Sequence, residues 1–117
     1  MIKVIEVFRK LSTIYIVMEL CTGGELYDRV VQSPRGRMAE EVCRPLVKSM
    51  VSALHYIHSN GIAHRDLKLE NFIFTDHSPD ADIKLIDFGF SRSYLESGET
   101  MEEVNPKLHH ALLFPPL

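Results

Sequence analysis

Two hydrophobic regimes run along the chain, and each predicts different structure. Near the start, Ile2, Val4, Ile5, Val7 and Phe8, then the run Ile14-Tyr15-Ile16-Val17-Met18, are rich in β-branched and aromatic residues and predict two strands. Arg9 to Thr13 between them is of hairpin length. The first strand begins at residue 2 with no lead-in, so its edge is expected to be exposed. Thr22-Gly23-Gly24 breaks the second strand, and Glu25 to Val31 predicts a short helix with Thr22 or Gly24 near its cap. Ser33-Pro34-Arg35-Gly36 predicts a loop. The period then changes. Leu46, Val47, Met50, Val51, Leu54 and Ile57 recur at three- and four-residue steps, which is one apolar face of an α-helix in need of a core to cover it. Asn60-Gly61 supplies its stop. Pro45 falls early in the pattern, so either the helix begins near it or its first turns are kinked. Phe72-Ile73-Phe74 and Ile83 to Ile86 predict two short strands joined by the polar turn Asp76 to Asp80. The periodicity is lost from Ser91 onward, and the end, HHALLFPPL, is apolar and closed by two prolines. The mixture is α+β.

Bulk composition narrows the classes. The chain has 117 residues, 45% hydrophobic and 25% charged, which fits one globular domain or part of one. A net charge of −3 argues against nucleic acid or an anionic membrane as the main partner. Cys21 and Cys43 form no C-x-x-C pair, which speaks against zinc and a disulfide framework and fits a reducing compartment. No signal peptide and no apolar run of membrane-spanning length is evident, so a soluble, intracellular and cytoplasmic protein is expected.

Chemistry concentrates in "HRDLKLENF", His64 to Phe72, between the long helix and a strand. A hairpin made of Phe72-Ile73-Phe74 and Ile83 to Ile86 would bring Asn71, just before one strand, close to Asp87, just after the other. An amide oxygen and a carboxylate are hard ligands suited to magnesium that keeps waters and substrate phosphates in its shell. Asp66, in the same loop, could accept a hydroxyl proton, and Lys68 could supply positive charge to a transferring phosphoryl group. Taken singly, each of these is more simply a turn residue or a solvated charge. The set, in this order and between these strands, favours a site.

Those residues carry a resemblance. His64-Arg65-Asp66-Leu67 followed by Asn71 resembles the catalytic-loop signature of eukaryotic protein kinases, and Asp87-Phe88-Gly89 resembles their D-F-G. Lys68 resembles the serine/threonine form of that loop, with Leu69 standing where proline is commoner. Upstream, Tyr15-Ile16-Val17-Met18-Glu19-Leu20-Cys21-Thr22-Gly23-Gly24-Glu25-Leu26-Tyr27-Asp28-Arg29 resembles the hinge of calcium/calmodulin-dependent and calcium-dependent kinases. The resemblance implies a kinase-like fold in part: the end of the small lobe, the hinge and the first part of the helical large lobe. It implies Asp66 as catalytic base, with Lys68 and Asn71 beside it, and Asn71 and Asp87 as ligands of Mg²⁺ on ATP. It implies Met18 behind the adenine, the Glu19 carbonyl and Cys21 amide on its edge, Leu26 and Ile73 beneath it, and Glu25 on the ribose or a substrate arginine. Read alone, Met18 is ordinary core and Glu25 a charge at a helix start.

The resemblance divides the chain into residues 1–104, a partial kinase domain reaching the start of the activation loop, and 105–117, a divergent tail. No G-x-G-x-x-G, V-A-I-K or A-P-E is present, so the sequence reads as a truncated piece expected to be inactive alone. Protein substrates with basic residues before the target Ser or Thr are expected from Glu25 and Glu70, and self-association from uncovered apolar surface. A non-catalytic interaction module or decoy is the alternative, and a small-molecule phosphotransferase ranks behind both. His109-His110, without further ligands, reads as solvent-facing.

Overall fold

The computed structural model describes residues 1–95, 98 and 100. It forms two compact units, one from Met1–Ala53 and Lys68–Ile86, the other from Leu54–Leu67 and the described residues from Asp87 onward. The tail from residue 105, the boundary at 104 and His109-His110 lie outside the described residues.

In the first unit, β1 (Val4–Lys10) and β2 (Thr13–Met18) pair antiparallel, with Val7 opposite Ile16 and Phe8 opposite Tyr15. The strands are longer than their apolar letters predict, because the turn is only Leu11-Ser12, with Leu11 at φ +55°. Phe8 and Tyr15 stack at 4.9 Å. Every residue of both strands is exposed, and among the described residues β1 pairs with β2 alone. The expected bare edge is therefore present, and both faces are bare as well.

The core of this unit is a second hairpin, β4 (Phe72–Phe74) with β5 (Ile83–Leu85), as the two short apolar runs predict. Alternation buries Phe72, Phe74, Ile83 and Leu85 on one face, with Ile73 and Lys84 partly exposed on the other. The Asp76 carboxylate accepts the Ser78 N–H at 2.8 Å and so builds the turn between the strands. Helix α1 (Leu26–Gln32) adds Leu26 to the core. Its N-cap is Glu25, with no side-chain cap, which corrects the expectation of Thr22 or Gly24. Thr22 and Gly23 instead donate their N–H groups to the carbonyls of Thr75 and Phe74, and the Gly24 carbonyl accepts from Phe74. That backbone is committed to pairing and is not free to cap.

Helix α2 (Glu40–Ser59) starts well before Pro45. The N–H groups of Val42 and Cys43 both bond the Ala39 carbonyl, and Glu40 and Glu41 suit the positive end of the helix. Pro45 thus sits inside the helix and forgoes one backbone bond. Of the predicted apolar face, only Ile57 is fully buried, while Val47 and Val51 are 53% and 59% exposed. Among the described residues, no helix is long and apolar enough to cross a membrane.

In the second unit α2 ends where Asn60-Gly61 predicts. The Asn60 N–H bonds Tyr56 and Ile57, and Gly61 takes φ +70° while its N–H bonds His58 at 2.9 Å. Two strands escaped the hydrophobic pattern: β3 (Ile62–Ala63) pairs antiparallel with β6 (Arg92–Ser93). Gly61 is needed for space too, since a Cβ there would stand 2.1 Å from Leu95 Cγ. Ile57, Ala63 and His64 are fully buried.

Candidate functional site

The segment leaving β2 is built around one carboxylate. Met18 ends the strand, opposite Val4 and 49% exposed. Glu19 follows, and its N–H bonds the Lys3 carbonyl at 3.0 Å. Glu19 Oε1 accepts the Lys3 N–H and Lys84 Nζ, both at 2.6 Å. These bonds, Lys84 first and Lys3 second, hold the Glu19 carboxyl below the usual carboxylate value. The side chain is thereby fixed while the main chain beyond it stays open. Among the described residues, neither the Glu19 carbonyl nor the Cys21 N–H has a hydrogen-bond partner. An acceptor and a donor two residues apart, at a strand exit, can bind one edge of a planar heterocycle.

The following residues lock that exit to β4. Gly23 has no alternative, because a Cβ there would lie 2.0 Å from the Asp76 carbonyl oxygen and 2.6 Å from Phe74 Cβ. Glu25 makes an isolated bridge to Ile73, and Ile73 lies opposite Lys84 in the hairpin. The first unit therefore joins Glu19, through Lys84, to Ile73 and Glu25. Leu26 is 4% exposed, so the partly exposed Ile73 is the more accessible of the two apolar residues. Asn71 closes a 3₁₀ turn over Leu69–Asn71 and is buried. Its carbonyl accepts the Ile86 N–H at 2.9 Å, at the open end of the β4–β5 hairpin. Lys68 precedes that turn in extended conformation and is exposed.

The second unit holds Asp66 and Asp87. His64 meets the Phe88 ring edge-on at 4.9 Å, and its Nδ1 accepts the Asp66 N–H in a long 3.4 Å bond. Arg65 donates its Nε–H to the Phe90 carbonyl. Arg65 and Asp87 both adopt positive φ, +68° and +58°, a conformation costly for such residues and frequent at functional sites. Asp87 is exposed, and its Oδ1 accepts the Gly89 N–H at 3.2 Å. The His64–Phe88 and Arg65–Phe90 contacts tie the H-R-D and D-F-G segments together, and sequence reading missed them. The signal available was one aromatic and one basic residue beside the two acidic ones. Among the described residues, no group of three or more His, Cys, Asp or Glu side chains is placed to hold a metal ion.

Comparison with known proteins fits these observations. Residues 1–110 match the protein kinase domain family. The chain is 46% identical to mouse calcium/calmodulin-dependent protein kinase type IV over 91 residues, covering 78% of this chain and 19% of that protein. It is 43% identical to calcium-dependent protein kinase 3 of Plasmodium yoelii yoelii over 90 residues, covering 77% and 16%. It is 44% identical to calcium-dependent protein kinase 21 of rice over 93 residues, covering 80% and 16%. The matched part thus spans less than a fifth of the length of these relatives.

Proposed function

This chain belongs to the protein kinase domain family, and from that membership we propose that it supplies the hinge and catalytic loop of a serine/threonine kinase acting on protein hydroxyls with Mg-ATP. The observation that carries the reading is the open pair of main-chain groups, the Glu19 carbonyl and the Cys21 N–H. An adenine edge offers the complementary donor and acceptor. Met18 stands behind that edge, Ile73 with Leu26 lies beneath the ring, and Glu25 takes the ribose hydroxyls or a substrate arginine.

Asp66 orients the substrate hydroxyl and accepts its proton, and Lys68 offsets negative charge on the group in transfer. Asn71 and Asp87 supply hard oxygen donors that fit Mg²⁺, and among the described residues one Asp87 oxygen is bonded only to a neighbouring amide. Magnesium, when bound there, neutralises phosphate charge. Glu25 and Glu70 favour substrates with a basic residue before the target. Residues 1–104 form the kinase portion and 105–117 a divergent tail. The setting is cytoplasmic, in keeping with the free thiols Cys21 and Cys43.

A second reading, an interaction module or decoy, is favoured by one feature. The β1–β2 hairpin exposes Ile5, Val7, Ile14 and Ile16 at 55% or more. A polypeptide of these 117 residues alone is then expected to associate before it catalyses. Amide resonances distinguish the readings in a complete kinase domain built around this chain. Adenosine should shift the Cys21 amide strongly and leave the already bonded Thr22 and Gly23 amides nearly unmoved. A silent Cys21 would overturn the hinge assignment.

A further inference from the structure

The chain holds two Ser-Pro steps, Ser33-Pro34 and Ser78-Pro79, and neither belongs to the site described above. Both have a plain structural use. Proline pushes the residue before it out of the helical region, so Ser33-Pro34 ends α1, while Ser78-Pro79 lies in the turn between β4 and β5. Their surroundings are opposite in charge. The Ser78 N–H donates to the Asp76 carboxylate, and Asp80 and Asp82 follow it. Ser33 is followed by Arg35 and Arg37, both exposed. Among the described residues, neither of these guanidinium groups has a hydrogen-bond or ion-pair partner.

Around Ser33 the backbone forms a bend that opens at little cost. Ser33 is half-buried and extended, with ψ 152°, and its N–H bonds the Val30 carbonyl. Its Oγ donates to the Arg29 carbonyl at 2.7 Å and so closes the last turn of α1. Leu26, at the opposite end, is the buried residue of α1, whereas Val31 and Gln32 are exposed. Unwinding the last turn therefore uncovers little apolar surface. Pro34–Gly36 then makes one 3₁₀ turn, with the Gly36 N–H on the Ser33 carbonyl at 2.8 Å and the Arg37 N–H on the Pro34 carbonyl at 3.3 Å. These bonds fold Arg35 and Arg37 back on the Ser-Pro step, within reach of a long side chain. Arg35 takes φ +61° in that turn, a conformation better suited to glycine. Ending a helix explains Ser33 and Pro34, but it does not call for two cations in a strained turn.

We propose that Ser33 is a phosphorylation site for a separate, proline-directed protein kinase, and that Arg35 and Arg37 hold the phosphate. The modifying enzyme supplies ATP. A bond forms from Ser33 Oγ to the γ-phosphorus, the bond from that phosphorus to the ADP oxygen breaks, and the hydroxyl proton passes to the enzyme's base. The phosphate brings about −1.5 to −2 charges and three acceptor oxygens. It removes the donor to the Arg29 carbonyl and sets negative charge beside the terminal carbonyls of α1, so that turn loosens while the arginines gather. At Ser78 the same group would face carboxylates.

The test does not depend on any activity of this chain. The full chain, its folding checked by circular dichroism, is incubated with Mg-ATP and a purified proline-directed kinase, and phosphate is mapped by mass spectrometry. Ser33 should be modified at least about tenfold faster than Ser78, and Pro34→Ala should slow it by about tenfold or more. No phosphate at Ser33, equal modification of Ser78, indifference to Pro34→Ala, or phosphate that appears without the added kinase overturns the proposal. A second arm reads the arginines by phosphorus NMR on the chain phosphorylated at Ser33. Facing cations favour the dianion, so the midpoint of the second ionisation should rise when Arg35→Gln and Arg37→Gln are combined. An unmoved midpoint overturns the role given to the two arginines.

Discussion

Lys84 Nζ stands 2.6 Å from Glu19 Oε1 and links the exit of β2 to strand β5 across 65 positions of sequence. The pair holds a main-chain segment still while, among the described residues, the Glu19 carbonyl and the Cys21 N–H stay open. Its pH dependence follows from the direction of the Glu19 shift. The folded carboxyl titrates below its ordinary 4.5, so its stabilisation is complete above that value and is lost as pH falls through the lower folded one. Lys84→Met should lower the urea midpoint at neutral pH. The gap between wild type and variant should close as the pH is taken well below 4.5. A gap that persists at low pH would mean that packing of the Lys84 stem, not charge, is what the variant lost.

Gly23→Ala is expected to destabilise the first unit by about 1–3 kcal/mol, because the new methyl must displace backbone at Asp76 and a packed side chain at Phe74. Chemical denaturation checks this, with Gly24→Ala as the comparison. Nothing lies within 4 Å of a Cβ at Gly24, so only its positive φ is strained there.

Asp66→Asn, in a complete kinase domain containing this chain, should reduce phosphoryl transfer by about 10²–10⁴-fold and leave ATP affinity near its starting value. Steady-state kinetics with a nucleotide-binding titration separates the two quantities. Near-normal turnover would remove Asp66 from the proton-transfer role.

Asp87→Ala in the same background should act on metal and rate together, since it deletes an oxygen donor. The magnesium concentration for half-maximal activity should rise along with the fall in rate. A rate loss at unchanged magnesium dependence would leave Asp87 as a residue shaping the D-F-G turn through its bond to Gly89.

The 117-residue polypeptide alone should show no peptide phosphorylation, weak ATP binding and concentration-dependent association. Among the described residues, its β1–β2 hairpin exposes both faces and presents free strand edges. Size-exclusion chromatography across a dilution series, with a kinase assay on the same fractions, decides the matter. A monomer with activity sensitive to Asp66→Asn would refute this expectation.

Much of the fold is legible in the sequence wherever a run of one residue class is long enough to impose its period. The β-branched letters of β1 and β2, the apolar face of α2 and the Asn60-Gly61 stop belong to that kind. The start of α2 was not legible because Ala39, its first acceptor, offers no capping side chain, and Pro45 is a louder signal in the wrong place. Strands β3 and β6 have two residues each, and Arg92-Ser93 carries no apolar periodicity. Their pairing depends on residues far apart in sequence, to which local patterns are blind. At the candidate site, the hairpin that sets Asn71 beside Ile86 could be anticipated from two apolar runs and a polar turn. The edge-on meeting of His64 with Phe88 could not, since neither letter says which ring it will face.

The pairing of β3 with β6 also fixes an order of events. Residues 64–91 lie between the two strands, and the whole β4–β5 hairpin falls inside that interval. Closing the outer loop first would mean ordering a long free chain for the sake of two short strands, whereas the inner hairpin closes only residues 75–82. Closure entropy grows with the logarithm of loop length, and hairpins form within about 1–10 μs. Once the inner strands have zipped, the outer ends are joined by a shorter effective tether. The H-R-D and D-F-G segments are therefore late to assemble, and a change that weakens Phe74 opposite Ile83 should slow their meeting without touching either one.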